Sequence, residues 1–211
     1  MSLIKSFPYQ LYLVISEEDC KERNFSDVAE QAILGGVDII QLREKNASDL
    51  DFLDKAICLK EITDKYKIPL IINDNIFVAE KINAFGIHVG NNDIQPSVLR
   101  KTSFQNKMIG YSIEYLSQLE NNETILSDYL GVSPVFKTQT KTDTVTEWGL
   151  EGLKKIRELT EKPLVAIGNI HFKNAKAVIE AGADCIAVVS EICSAENPQK
   201  AAFNLKNEII K

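Results

Sequence analysis

Short apolar runs alternate with amphipathic stretches along the whole chain. Eight runs, at residues 11–16, 37–44, 70–73, 86–90, 108–112, 129–135, 164–168 and 185–190, read as strands. They are rich in Val, Ile and Leu, which is how parallel strands covered on both faces read. The stretches between them carry helix punctuation. Residues 49–65 follow Ser48, a candidate N-cap, with Leu50, Leu53, Ala56, Ile57, Leu59 and Ile62 as the expected apolar face. That helix is expected to stop before Pro69. Pro96 and Pro198 each open a helix, and Gly182 closes one over residues 173–181.

Strand-then-helix units repeated eight times in 211 residues leave roughly 26 residues per unit, which fits a closed (β/α)8 TIM barrel without inserts. Residues 1–211 are therefore expected to form a single TIM-barrel domain. An open doubly wound sheet shares the alternation but needs a Gly-rich turn after its first strand, and VISEEDC at residues 14–20 has none.

In such a barrel the chemistry sits at the carboxyl ends of the strands, so the polar residues there carry the functional reading. The second strand ends in QLREK, residues 41–45, where alternation turns Gln41, Arg43 and Lys45 to one face. Asp74 and Asp93 follow the third and fourth strands at matching depth. Two carboxylates beside two cations suit Mg²⁺, which takes one or two carboxylates together with phosphate oxygens. Asn73, Asp74 and Asp93 are equally placed to cap the next helices. Gly168 and Ser190 end the seventh and eighth strands, where barrels frequently hold a phosphate; a tight turn and an N-cap explain them as well. His88, alone inside a strand, reads as a hydrogen-bonded core residue without chemistry. Residues 136–148 combine threonine hydroxyls with Lys137 and Lys141 after the sixth strand. They read as a polar loop able to close on an anion.

Charge narrows the partners. A formal net charge of −6 argues against a nucleic-acid or anionic-membrane surface, so an anionic ligand needs local cations. No apolar window reaches membrane-spanning length, and the start lacks the pattern of a signal peptide, so a cytoplasmic protein is expected. The four cysteines, Cys20, Cys58, Cys185 and Cys193, include no CxxC pair and are expected to be reduced.

Taken together, QLREK (41–45), NDN (73–75), GIHVGNND (86–93), GYS (110–112), LGVSPVFKTQTK (130–141), GLEGL (149–153), AIGNI (166–170) and AVVS (187–190) closely resemble the thiamine phosphate synthase family, in its order and over nearly the whole chain. The resemblance implies a TIM barrel that joins a hydroxymethylpyrimidine diphosphate to a hydroxyethylthiazole phosphate, with Mg²⁺, releasing pyrophosphate. It implies small-molecule substrates and leaves the oligomeric state open. By position, the 41–45 segment (Gln41, Leu42, Arg43, Glu44, Lys45), with Asn73, Ser112 and Lys141, matches the pyrimidine diphosphate site. Asp74 and Asp93 match the magnesium ligands. Thr138, Gln139 and Thr140, with Gly168, Val189 and Ser190, match the thiazole phosphate site. Arg43, Lys45, Ser112 and Lys141 are the expected catalytic groups. Asn75, Asn91-Asn92 and Asn169 depart from the family pattern. A thiazole tautomerase is the nearest alternative, but its His after the fifth strand is Glu114 here. A non-catalytic sensor of thiamine phosphates is the other, and would not need both acids.

Overall fold

The structure, a computed structural model, describes residues 7–137 and 146–210. Eight parallel strands close into a barrel in the order β1 to β8: β1 (Leu11–Ile15), β2 (Ile39–Leu42), β3 (Leu70–Asn73), β4 (Gly86–Val89), β5 (Met108–Ile113), β6 (Tyr129–Val132), β7 (Leu164–Ile167) and β8 (Cys185–Val188). Around them run α1 (Phe25–Leu34), α2 (Asp49–Tyr66), α3 (Ile76–Lys81), α4 (Pro96–Leu99), α5 (Asn122–Leu126), α6 (Gly149–Leu159), α7 (Ala175–Glu180), α8 (Ser190–Cys193) and α9 (Pro198–Ile209). The expected barrel is present.

Period-two alternation divides the core into two layers. Leu11, Leu13, Ile15, Ile40, Leu42, Ile72 and their counterparts face the helices. Tyr12, Val14, Ile39, Ile71, Met108, Tyr129, Val165, Cys185 and Ala187 fill the barrel interior. This second set is the floor beneath the site.

The strands are fastened at their amino ends by a device used three times. Asp38, Asp128 and Asp184 each directly precede a strand and accept a backbone N–H from the first or second residue of the preceding strand: Leu11 at 2.8 Å, Ile109 at 2.7 Å and Leu164 at 2.8 Å. Each carboxylate is also held by a cation, from Lys206 at 2.6 Å, Arg100 at 2.7 Å and Arg157 at 3.0 Å respectively. Charge-assisted bonds of this kind are about twice as strong as neutral ones. They fix the end of the barrel opposite the site.

Helix signals hold in part. Ser48 caps α2 by accepting from Asp51 N, and Pro96 and Pro198 open α4 and α9. The expected apolar face of α2 is displaced: Phe52, Ala56, Leu59 and Thr63 are buried, whereas Leu50 is 69% and Ile57 45% exposed. Thr63 enters the buried stripe because its hydroxyl donates to Lys60 O, which satisfies it without water. Several strands are shorter than their apolar runs, since pairing ends where the chain turns outward at the mouth. Among the described residues no helix is long and apolar enough to cross a membrane.

Candidate functional site

Two adjoining cavities open at the carboxyl ends of the strands. The deeper is lined by Gln41, Arg43 and Lys45 from β2 and its extension, Asn73 and Asp74 from β3, His88 and Asp93 from β4 and the loop after it, and Ser112 from β5. The alternation read from QLREK therefore does turn Gln41, Arg43 and Lys45 inward together. The wider cavity, of about 600 Å³, lies over β7 and β8 and is lined by Lys137, Gly168, Asn169, Val189 and Ser190, with Asp19 at its edge. Its volume falls in the range of small-molecule sites. Arg43, Ser133 and Ile167 line both cavities, so ligands in the two would meet there.

Asp74 and Asp93 are not used as helix caps. Asn75 caps α3 by accepting from Val78 N, and α4 is preceded by Gln95. Asp74 sits in the left-handed region with φ +60°, a conformation uncommon outside glycine and frequent at functional positions. Its carboxylate pairs with Lys45. Asp93 accepts from Gly90 N at 2.8 Å. Burial, and then the neighbouring Asp74 carboxylate, push the Asp93 carboxyl above the usual carboxylate range. Two acids held this close repel each other unless a proton or cation lies between them. Among the described residues no three His, Cys, Asp or Glu side chains cluster as a self-sufficient metal site. The pair thus suits an ion that completes its shell with ligand oxygens and water.

The backbone N–H of Arg43 donates to Ile15 O at 2.9 Å, but its guanidinium has no ion-pair or hydrogen-bond partner among the described residues. A half-buried guanidinium without a counter-charge is expensive to keep, and at the junction of two cavities it is placed to hold an anion.

Behind the mouth, polar groups penetrate the barrel. Gln41 Nε2 donates to Tyr12 OH, which lies 3.0 Å from Tyr129 OH. His88 Nδ1 is 3.0 Å from Tyr129 OH and His88 Nε2 is 2.9 Å from Ser112 Oγ. Room for this comes from Gly110, where a Cβ would come within 2.4 Å of both His88 Nδ1 and the Tyr129 hydroxyl.

Not every expected residue joins the site. Leu42 is fully buried and packs toward the helices. The Glu44 carboxylate turns away, accepting from Glu17 N at 2.7 Å and pairing with Lys55 at 3.0 Å. Both are on the other phase of the alternation. Thr138, Gln139, Thr140 and Lys141 lie outside the described residues. Ser190 is the first residue of α8, and the capping position falls to Val189. The departures have structural roles. Asn75 caps α3 and donates to Asp49; Asn91 ties Glu114 to Tyr111; Asn169 takes a φ of +49°, which asparagine tolerates better than most residues. Sequence reasoning missed Tyr12, Tyr129 and the part His88 plays at the cavity wall. The inward phase of each strand was the signal that could have found the first two.

An eight-stranded barrel whose polar groups gather at the carboxyl ends, above a sealed floor, is the arrangement of a TIM-barrel enzyme. Comparison with known proteins narrows the class. The family model described as thiamine monophosphate synthase matches residues 11–192, and the chain belongs to that family, and with it to the transferases. The thiamine-phosphate synthase of Albidiferax ferrireducens is 45% identical over 200 residues, covering 95% of this chain and 91% of that protein. That of Leptospira biflexa is 41% identical over 202 residues, covering 94% and 96%. Among solved structures, the thiamine phosphate pyrophosphorylase from Pyrococcus furiosus superimposes with a TM-score of 0.86 at 31% identity, covering 96% of each chain.

Proposed function

We propose that the chain makes thiamine phosphate. A hydroxymethylpyrimidine diphosphate in the deep cavity loses pyrophosphate, and the nitrogen of a hydroxyethylthiazole phosphate in the wider cavity takes the released methylene carbon. The observation that carries this reading is the pair of cavities meeting at Arg43, one rimmed by paired acids and Lys45, the other by Gly168, Val189 and Ser190. Two anionic ligands would lie side by side, with a cation between them that has no side-chain partner among the described residues.

The bond that breaks joins the pyrimidine methylene to the diphosphate oxygen. Its electron pair leaves with the pyrophosphate, and the electron-rich aminopyrimidine spreads the positive charge left on carbon. No protein nucleophile is required. The work falls on positioning and on stabilising the leaving group. Arg43 and Lys45 would hold the diphosphate, joined in this reading by Lys141. Gln41, Asn73 and Ser112 would orient the ring. Thr138, Gln139 and Thr140 would join Gly168, Val189 and Ser190 around the thiazole phosphate. The acid pair fits Mg²⁺, which when bound would add positive charge to the diphosphate. The apolar walls, Val14, Ile167 and Ala187, keep water from the carbon centre. We also read the protein as a single-domain enzyme and, since its four cysteines are free thiols, as a cytoplasmic one.

Incubation of the purified protein with both substrates and Mg²⁺ tests the reading. Pyrophosphate and thiamine phosphate should appear in equal amounts. Pyrophosphate alone, isomerised thiazole phosphate alone, or binding without turnover would each overturn it.

A further inference from the structure

Five polar side chains from five strands form one unbroken hydrogen-bonded chain through the barrel: Gln41, Tyr12, Tyr129, His88 and Ser112. Its two ends both face the deep cavity. Burial raises the pKa of both phenols, so each keeps its proton and has one hydrogen to give. That makes every link dictate the next. With the Gln41 amide nitrogen on Tyr12, the Tyr12 hydrogen goes to Tyr129 and the Tyr129 hydrogen to His88 Nδ1. The imidazole then carries its hydrogen on Nε2 and donates it to Ser112 Oγ. The Ser112 hydroxyl hydrogen is left for the cavity. Turning the amide over reverses all of these links. Ser112 would then donate to His88 Nε2 and offer the cavity only lone pairs.

We propose that Tyr12, Tyr129 and His88 are positioning residues that couple the ends of this chain, so that Gln41 presents its carbonyl oxygen to the cavity when Ser112 presents its hydroxyl hydrogen. The ligand chemistry this selects has an N–H donor at one end and an acceptor at the other, the pattern of an amino-substituted nitrogen heterocycle. Identification of that heterocycle rests on the pyrimidine reading above; the coupling itself does not. The phenols lie at the floor of the cavity with their hydroxyls engaged by each other, by Gln41 and by His88, and they act through those two residues. The space kept by Gly110 for the Tyr129–His88 link is consistent with a contact that the fold maintains.

The chain contains two histidines, His88 and His171, so ¹⁵N NMR of the ligand-free protein reads the relay directly once a His171→Gln variant has assigned the signals. In the parent protein His88 should show a pyridine-type Nδ1 and a pyrrole-type Nε2. In Tyr129→Phe, which keeps the ring and removes the link, both nitrogens should move to intermediate, tautomer-averaged positions. In kinetics, Tyr129→Phe and Tyr12→Phe should each raise KM for the pyrimidine diphosphate about tenfold, the scale of one misdirected hydrogen bond. The turnover number and the KM for the thiazole phosphate should stay within about twofold. The double variant should be no worse than either single one, because one break already uncouples the ends. A proton on Nδ1 or on both nitrogens in the parent protein, an unchanged His88 pattern in Tyr129→Phe, or fully multiplicative losses in the double variant would overturn the relay. If the NMR pattern holds while the parent protein does not turn over the pyrimidine diphosphate, the substrate reading fails and the relay stands.

Discussion

A single methyl group at Gly168 tests how the wider cavity is built. Gly168 holds a φ of +116°, and a Cβ there would lie 2.6 Å from Pro134 Cβ, 2.8 Å from Pro134 Cα and 3.0 Å from Val135 N. Non-bonded carbons prefer about 3.5–4.0 Å, so the segment after β6 would have to retreat by about 1 Å. It is not free to do so. Val135 N donates to Ile167 O at 2.9 Å and Phe136 N to Gly168 O at 3.2 Å, both in the strand end that carries the new methyl. Backbone strain at this φ costs about 1–3 kcal/mol and overpacking about 1–3 kcal/mol. The lower freedom of alanine in the unfolded chain returns about 0.4–1 kcal/mol. The net loss for Gly168→Ala is then about 1–6 kcal/mol. At about 2–4 °C per kcal/mol for a chain of this size, the melting temperature should fall by about 2–24 °C. Thermal unfolding measures that fall. In the folded fraction, KM for the thiazole phosphate should rise more than KM for the pyrimidine diphosphate. A variant that melts within about 2 °C of the parent, with both KM values unchanged, would refute the close approach on which the argument depends.

Two further substitutions separate stability from activity. The Asp93 carboxyl has a raised pKa in the folded protein, so the fold holds that proton more tightly than the unfolded chain does. Its contribution is fully present below the unfolded value of about 3.9 and is lost as pH rises through the raised folded value, leaving the ionised group a net cost at neutral pH. Asp93→Asn should therefore raise the melting temperature at pH 7 in metal-free buffer while reducing turnover; a lower melting temperature would contradict the repulsion. Asp128→Ala should do the reverse. It strips Ile109 N and Arg100 of their shared partner at the amino end of the barrel, and should cost about 3 kcal/mol of stability in denaturant titrations, with KM values unchanged. A loss below about 0.5 kcal/mol would show that the clasp is dispensable.

The parts of this molecule that were legible in the sequence are those governed by short periods. Alternation marked the strands, and in QLREK it separated the inward Gln41, Arg43 and Lys45 from the others; applied strictly it also removes Leu42 and Glu44, which the structure turns outward. Caps and prolines marked helix starts because their physics is local. The face of α2 was misplaced because Phe52 and Thr63 are selected by what packs on them, which the helix period alone does not report. The Tyr12–Tyr129 contact joins residues far apart in sequence, and only barrel closure brings them together. His88 was correctly expected to be hydrogen-bonded, yet its place at the cavity wall depends on Gly110 leaving space two strand positions from Ser112, on the neighbouring strand. The aspartate clasps escaped notice because a lone Asp before a strand has no pattern of its own.

The account is tested most directly by locating the metal and the leaving group together. In a crystal soaked with pyrophosphate and Mn²⁺, used as an anomalous scatterer in place of Mg²⁺, the anomalous peak should lie about 2.0–2.3 Å from carboxylate oxygens of both Asp74 and Asp93, with pyrophosphate on Arg43 and Lys45. A peak touching neither acid, with pyrophosphate against Gly168 and Ser190 instead, would contradict the assignment of the two cavities.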